Sequence, residues 1–312
     1  MVRYCVFVLV SAFQAGSLQA QQSSPPALIG RWDITVVTTE GATYPSWLEI
    51  RRSGNSALIG QFVGQAGSAR PISRIDSSPD SIHFSIPPQW ESGANDLQFH
   101  GRLADDRLAG WMTDASGSRQ SWSAVRAPTL RRAAAPQWGT PIPLFNGRDL
   151  TGWQPVGADP SAWVVVGGVL TNTKAGANLV TRERYTDFKL HVEFRFASGG
   201  NSGIYLRGRH EVQVEDSQDP EPSPVGLGAV YGFLTPSENA GKKAGEWQAF
   251  DITLVGRRVT IVLNGRQIIC DQGIPGITGG AMDSDEGAPG PLLLQGDHGP
   301  VEYRNLVLTP AR

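Results

Sequence analysis

The stretch Asn201-Ser-Gly-Ile-Tyr-Leu-Arg-Gly-Arg-His-Glu-Val-Gln-Val-Glu-Asp216 decides the fold. Two short apolar-alternating runs flank Gly208, with Ile204 and Leu206 before it and Val212 and Val214 after it. Side chains two residues apart in a strand share a face, so these four are expected on the buried side of a sheet. The opposite face then carries Tyr205, Arg207, Arg209, Glu211, Gln213 and Glu215. A solvated strand face laced with ion pairs explains such an alternation without any function. A ring, an amide, guanidinium groups and carboxylates together also suit a sugar, which offers one apolar face and many hydroxyls.

Strands are expected on both sides of this hairpin. Phe188, Leu190, Val192, Phe194 and Phe196 alternate with polar residues, as do Phe250, Ile252 and Leu254 and then Val259, Ile261 and Leu263. Gly256-Arg257 is read as the turn between the last two, and Asn264-Gly265 as a type I′ hairpin turn. With runs at 163–170, 292–295 and 303–308, these strands imply two packed antiparallel sheets. Residues 31–126 repeat the pattern at 31–37, 47–51, 58–63, 82–86, 97–103, 108–113 and 122–126, with tight turns at Ser53-Gly54-Asn55 and Asp105-Asp106. Sequential hairpins of this kind suggest a small antiparallel barrel or sandwich. His83 and His100 on these strands are expected to be ordinary hydrogen-bonded side chains rather than metal ligands.

The composition agrees with an all-β chain of two domains: 312 residues with 37 glycines, 22 prolines and 9 tryptophans. A net charge of −2 and the lack of any basic run beyond two residues argue against nucleic acid or an anionic membrane as partner. Residues 1–20 have the form of a secretory leader: Arg3, an apolar run over 4–13, and Ser17-Leu-Gln-Ala20 before a cleavage point. The expected protein is therefore exported, periplasmic or extracellular, with no membrane segment after cleavage. Cys5 would leave with the leader, so Cys270 would be alone, packed at a strand end as a small apolar side chain. The expected divisions are a small all-β domain at 27–127, a proline-rich linker at 128–140 and a second β domain at 141–312. Candidate catalytic groups all lie in the second domain, so the first is expected to be dispensable for turnover.

Several phrases of the second half belong together. They are Leu144-Phe-Asn-Gly-Arg-Asp-Leu-Thr-Gly-Trp153, Asn201-Ser-Gly-Ile-Tyr-Leu-Arg-Gly208, Glu211-Val-Gln-Val-Glu-Asp216, Gly245-Glu-Trp-Gln248, Val262-Leu-Asn-Gly265, and Pro289-Gly-Pro-Leu-Leu-Leu-Gln-Gly-Asp-His-Gly299 with Tyr303-Arg-Asn305. In order and spacing they resemble the 3-keto-disaccharide hydrolase domain family. The resemblance implies a concanavalin-like jelly-roll sandwich and a glycoside substrate oxidised at C3; because a C3 ketone acidifies the C2 proton, removal of that proton, elimination and addition of water would give net hydrolysis with no required cofactor. Carried over by position, the family's polar residues fall on Arg207, Glu211, Gln213, Asp216, Glu246, Gln295 and His298, with Asn201 and Tyr231 beside them; the chemistry of elimination then suggests Glu211 as base, Arg207 as stabiliser of the developing negative charge, and His298 or Glu246 as acid. Gln213, Asp216, Gln295, Asn201 and Tyr231 would bind the sugar. The alternatives are a non-catalytic carbohydrate-binding protein and a two-carboxylate glycosidase using Glu211 and Glu246. Asp283, Asp285 and Glu286 have the spacing of a loop Ca²⁺ site, the weaker reading beside an ordinary acidic loop. His191 and His210 are expected at the surface, and Trp153 and Trp163 in the core.

Overall fold

The computed structural model describes residues 26–217 and 219–312; the leader and its cleavage point lie outside them. After a 3-10 turn (Pro26–Leu28), eight strands follow: β1 (Gly30–Val37), β2 (Thr43–Ser53), β3 (Ala57–Val63), β4 (Arg70–Ser77), β5 (Ser81–Ile86), β6 (Leu97–Ala104), β7 (Arg107–Thr113) and β8 (Arg119–Arg126). Each pairs with the next, and β8 returns to β1, closing a barrel. Closure leaves no unpaired edge and fills the interior with the inward residues of each strand, among them Trp32, Phe62, Phe84, Phe99 and Trp122. The expected turns are present: Asp105 and Asp106 take φ of 49° and 57°, the left-handed values a two-residue hairpin needs. Strand β4 was not expected. Pro71 interrupts it, and a register shift where β3 meets it leaves Ile72 and Ile75 both buried, three residues apart. His83 and His100 face each other across β5 and β6 with tilted rings 4.4 Å apart, and Trp111 on β7 stacks on His100 at 3.9 Å.

The second half contains β9 (Ile142–Pro143), β10 (Trp153–Val156), β11 (Trp163–Val166), β12 (Val169–Asn172), β13 (Asn178–Thr181), β14 (Phe188–Phe196), β15 (Asn201–Leu206), β16 (His210–Glu215), β17 (Gln248–Val255), β18 (Arg258–Leu263), β19 (Arg266–Gly273), β20 (Leu293–Leu294) and β21 (Val301–Pro310). They form two sheets, β10-β13-β20-β15-β16 and β11-β12-β21-β14-β17-β18-β19, with β9 added beside β21. The chain crosses repeatedly from one sheet to the other, the mark of a jelly roll. Ile204, Leu206, Val212 and Val214 meet Phe188, Val192, Phe194 and Phe250 between the sheets, so the alternation of 201–216 points inward as expected. Trp153 and Trp163 are core residues whose indole N–H groups donate to the carbonyls of Leu144 and Ala177.

Two expectations about buried and exposed groups are reversed. His210 is fully buried: its ring contacts the Gly276 carbonyl through Nδ1, at 3.1 Å, and Arg207 through Nε2, at 3.4 Å. Cys270 is exposed, because register shifts between β18 and β19 put Ile268 and Ile269 both inside and turn the next residue out.

The barrel is packed against the sandwich rather than held on a free tether. Trp47 leaves the barrel wall fully buried against Ile277 and the edge of Phe233, whose ring centre is 5.3 Å away. Gly276 lies so close to the Trp47 ring that any side chain there would collide with it. Beside this apolar contact lies a charged one. Arg257 of the sandwich pairs with Glu286, faces Asp33 of the barrel, and donates to the carbonyls of Pro128 and Pro275. Burial pushes the Asp33 carboxyl up to about 7 and the Arg257 guanidinium down to about 9.

Candidate active site

On the outer face of β15 and β16, away from the sandwich core, the chain forms a cavity of about 290 Å³. Its lining from the sandwich comprises Asn201, Tyr205, Glu211, Gln213, Tyr231, Gly279, Gly280, Gln295, Asp297 and His298. Strand pairing explains the grouping. Tyr205 lies directly opposite Glu211 and Gly203 opposite Gln213, so the polar residues of both strands share one side. Gly203 leaves the space that the Glu211 side chain crosses; a Cβ there would lie 2.2 Å from Glu211 Oε1.

Glu211 is 4% exposed and has no cationic side chain within salt-bridge distance among the described residues. Tyr205 donates its hydroxyl to Glu211 Oε2 or to the Gly279 carbonyl, each 3.0 Å away. Burial dominates and pushes the carboxyl up to about 8, against the lowering effects of the Tyr205 hydroxyl and of His298. His298 stands at the rim, its Nδ1 2.6 Å from Asp297 Oδ1. That hydrogen bond holds the imidazole above its ordinary range and leaves Nε2 as the outward nitrogen. The carbonyl oxygens of the Gln213 and Gln295 side chains are buried without a hydrogen-bond partner. Acceptors in that condition are costly unless a ligand donates to them.

Of the residues selected from sequence, Glu211, Gln213, Asn201, Tyr231, Gln295 and His298 meet in this cavity. Arg207, Glu246 and Asp216 do not. Arg207 occupies the hairpin turn with φ of 55°, and its guanidinium is drawn inward to donate to the Gly256 carbonyl at 2.7 Å. The strand alternation that put it beside Glu211 ends one residue earlier, at Leu206. Glu246 is an exposed loop residue ahead of β17. Asp216 caps a turn by accepting from the Gly199 N–H and lines a separate, smaller cavity. The three carboxylates considered for Ca²⁺ are split: Asp283 accepts from Arg209, and Glu286 turns inward to Arg257. No cluster of three or more metal-binding side chains occurs among the described residues.

Sequence reasoning set Tyr205 on the polar strand face without choosing it for the site and passed over Asp297, although both signals were present. Tyr205 has the strand parity of Glu211, and Asp297 adjoins His298. It also missed Ala66, Gly67 and Trp90, which reach the cavity from the barrel. No periodic pattern marks them. Their presence removes the basis for treating the first domain as dispensable.

A curated protein from Bacteroides thetaiotaomicron named 3-keto-disaccharide hydrolase is 24% identical over 117 residues, 34% of this chain. The match spans 40% of that relative's length. Two solved structures from Parabacteroides distasonis, provisionally named glycosyl hydrolases, are also similar. One is 27% identical with a TM-score of 0.48, covering 57% of this chain and 92% of its own. The other is 20% identical with a TM-score of 0.45, covering 55% and 93%. The family model described as the 3-keto-alpha-glucoside-1,2-lyase-like domain matches residues 140–309, more than half of the chain and the whole of the sandwich strands but for the last residue of β21. The chain belongs to that family of 3-keto-alpha-glucoside-1,2-lyase-like domains.

Proposed function

We propose that the cavity cleaves glycosides carrying a ketone at C3, by removal of the C2 proton and expulsion of the C1 substituent. The observation that carries this reading is a buried Glu211 with no cationic partner within salt-bridge distance among the described residues, sharing its cavity with a His298–Asp297 pair and two amide oxygens that lack a hydrogen-bond partner. A C3 ketone acidifies the proton on C2, and a carboxylate with a raised pKa is a stronger base than an ordinary one. Glu211 takes the C2 proton, and the electron pair moves into the C2–C3 bond and onto the ketone oxygen. As the C1–O bond breaks, His298, protonated with support from Asp297, gives its proton to the leaving oxygen. Addition of water at C1 and delivery to C2 of a proton that has exchanged with solvent on the Glu211 carboxyl complete a net hydrolysis. Every atom and electron is then accounted for without an oxidant or reductant.

With Arg207 turned away, the oxygen that gains charge is met by neutral donors, the Tyr231 hydroxyl and the amide of Asn201. Gln213 and Gln295 accept from sugar hydroxyls. Their unpaired carbonyl oxygens reward a hydroxyl-rich ligand and penalise one that lacks donors. A two-carboxylate glycosidase is less well supported, because Glu246 does not line the cavity.

Parallel assays of a glucoside and its 3-keto form test the reading. Turnover is expected for the ketone and not for the parent sugar, with both binding. Equal cleavage of the two would remove the elimination mechanism. Binding of both without any turnover would make the protein a carbohydrate-binding module.

A further inference from the structure

We infer that the N-terminal barrel supplies the leaving-group half of the substrate site, with Trp90 as the platform for an aromatic aglycone. The inference rests on the glycoside-cleaving reading and names the class of substrate it takes.

Trp90 is 70% exposed, more than any other large hydrophobic side chain among the described residues. A bare indole of this kind is costly to leave in water and is a frequent anchor for ligands. It belongs to the wall of two cavities at once. One is the cavity that holds Glu211 and His298. The other, of about 380 Å³, opens at the mouth of the barrel and is lined by Tyr44, Phe62, Leu97 and Met112 together with polar groups such as Glu91 and Gln120. The two cavities share Ala66 and Trp90 in their walls, so they lie on either side of the indole. Together they fall within the roughly 300–1,000 Å³ typical of small-molecule sites.

The ring is carried on a braced loop. Arg70 holds the Glu91 carboxylate with both terminal nitrogens, at 2.7 and 3.3 Å, and donates to the Pro87 carbonyl at 3.0 Å. Glu91 in turn accepts from the backbone N–H groups of Gln89 and Trp90. Gln89 is tied back to Ser68 by two further hydrogen bonds. Gly67 lies against the indole so closely that a Cβ there would stand 2.5 Å from its Cδ1. The same 65–67 segment is fixed to the sandwich: the Gly280 N–H donates to the Gln65 carbonyl at 2.8 Å, and Gly279 packs directly on the Gly67 backbone. Trp90 is thus tied to the strand-and-loop wall that carries Glu211 through side-chain hydrogen bonds of Ser68, Arg70, Gln89 and Glu91 and backbone contacts of 65–67 with Gly279 and Gly280. Such bracing is what a binding platform requires and what a merely solvated loop lacks.

The sugar ring, rich in hydroxyls, belongs with Gln213 and Gln295. The apolar lining beyond Trp90 suits the group expelled from C1, and a flat aromatic ring matches both the indole face and the Phe62, Leu97 and Met112 surface.

The test compares phenyl and methyl 3-keto-glucosides with wild type, Trp90→Ala and Trp90→Phe. Wild type is expected to prefer the phenyl substrate in kcat/KM. Trp90→Ala should lower the phenyl-to-methyl ratio about 10-fold or more, and Trp90→Phe should restore most of it. Calorimetric binding of the unoxidised phenyl and methyl glucosides to the same three proteins reads the platform without any chemistry. Loss of the phenyl preference in Trp90→Ala supports the inference even if no 3-keto substrate is turned over, an outcome that would sink the elimination reading alone. A wild type with no phenyl preference, or a preference unchanged in Trp90→Ala, overturns it.

Discussion

Glu211→Gln is expected to lower turnover of a 3-keto-glucoside by roughly 100- to 10,000-fold, the range lost when a positioned general base is removed. The amide keeps the shape and can still meet the Tyr205 hydroxyl, so sugar binding should persist. A second readout separates loss of chemistry from loss of fold. The folded Glu211 carboxyl titrates at about 8, whereas an unfolded glutamate titrates at about 4.3. A raised carboxyl pKa means that the folded state binds the proton more tightly. Its stabilising contribution is therefore complete below the unfolded value and is lost as pH climbs toward and through about 8. Glutamine cannot titrate. The variant should match wild type near pH 4 and exceed it at pH 8 by on the order of a few kcal/mol in urea unfolding. A variant that is inactive and also less stable at pH 8 would contradict the account. In wild type, activity should rise as pH passes upward through about 8 and Glu211 loses its proton, until His298 can no longer act as the acid.

Arg257→Met is expected to destabilise the protein by about 3–5 kcal/mol, the cost of leaving a buried charge without its partner. Glu286 is fully buried and has Arg257 as its ion-pair partner, while Asp33 approaches the same guanidinium from the barrel. Arg257 also supports the carbonyls of Pro128 and Pro275, which hold the segment between the domains and the loop under Trp47. The double change Arg257→Met with Glu286→Leu should recover most of the loss, because an apolar pair does not pay the desolvation that a lone carboxylate does. Urea midpoints of the three proteins decide it. A single variant within about 1 kcal/mol of wild type would mean that water reaches Glu286 and that the interface is looser than its burial implies.

How far the sequence carried the fold and the site follows from which signals are local. Alternation along 188–196, 201–206 and 210–215 is enforced by the two-residue repeat of a strand, so Ile204, Leu206, Val212 and Val214 could be placed in the core from their spacing. The same rule carried past its range misplaced Arg207. At φ of 55° in Arg207 and 67° in Gly208 the chain turns, and parity no longer fixes the direction of the side chain. Strand β4 escaped notice for a related reason, since Pro71 and a register shift break the period on which detection depends. His210 was misjudged because its burial arises from packing against Gly276, 66 residues away, rather than from anything in its own strand. The contribution of Trp90 is the extreme case. A tryptophan in a loop carries no periodic mark, and only the seating of the barrel on the sandwich brings it to Glu211.

The central claim is that Glu211 removes the C2 proton of a 3-keto sugar, and exchange of that proton with solvent tests it most directly. Incubation of a 3-keto-glucoside with the protein in D₂O, followed by mass analysis of product and of substrate recovered before full conversion, should show deuterium at C2 of the product with wild type, and in recovered substrate whenever the enediolate re-protonates before expulsion, with none above background for Glu211→Gln. Turnover by wild type with protium retained at C2 in both recovered substrate and product would contradict the account, since the C1–O bond would then break without the C2 proton ever leaving.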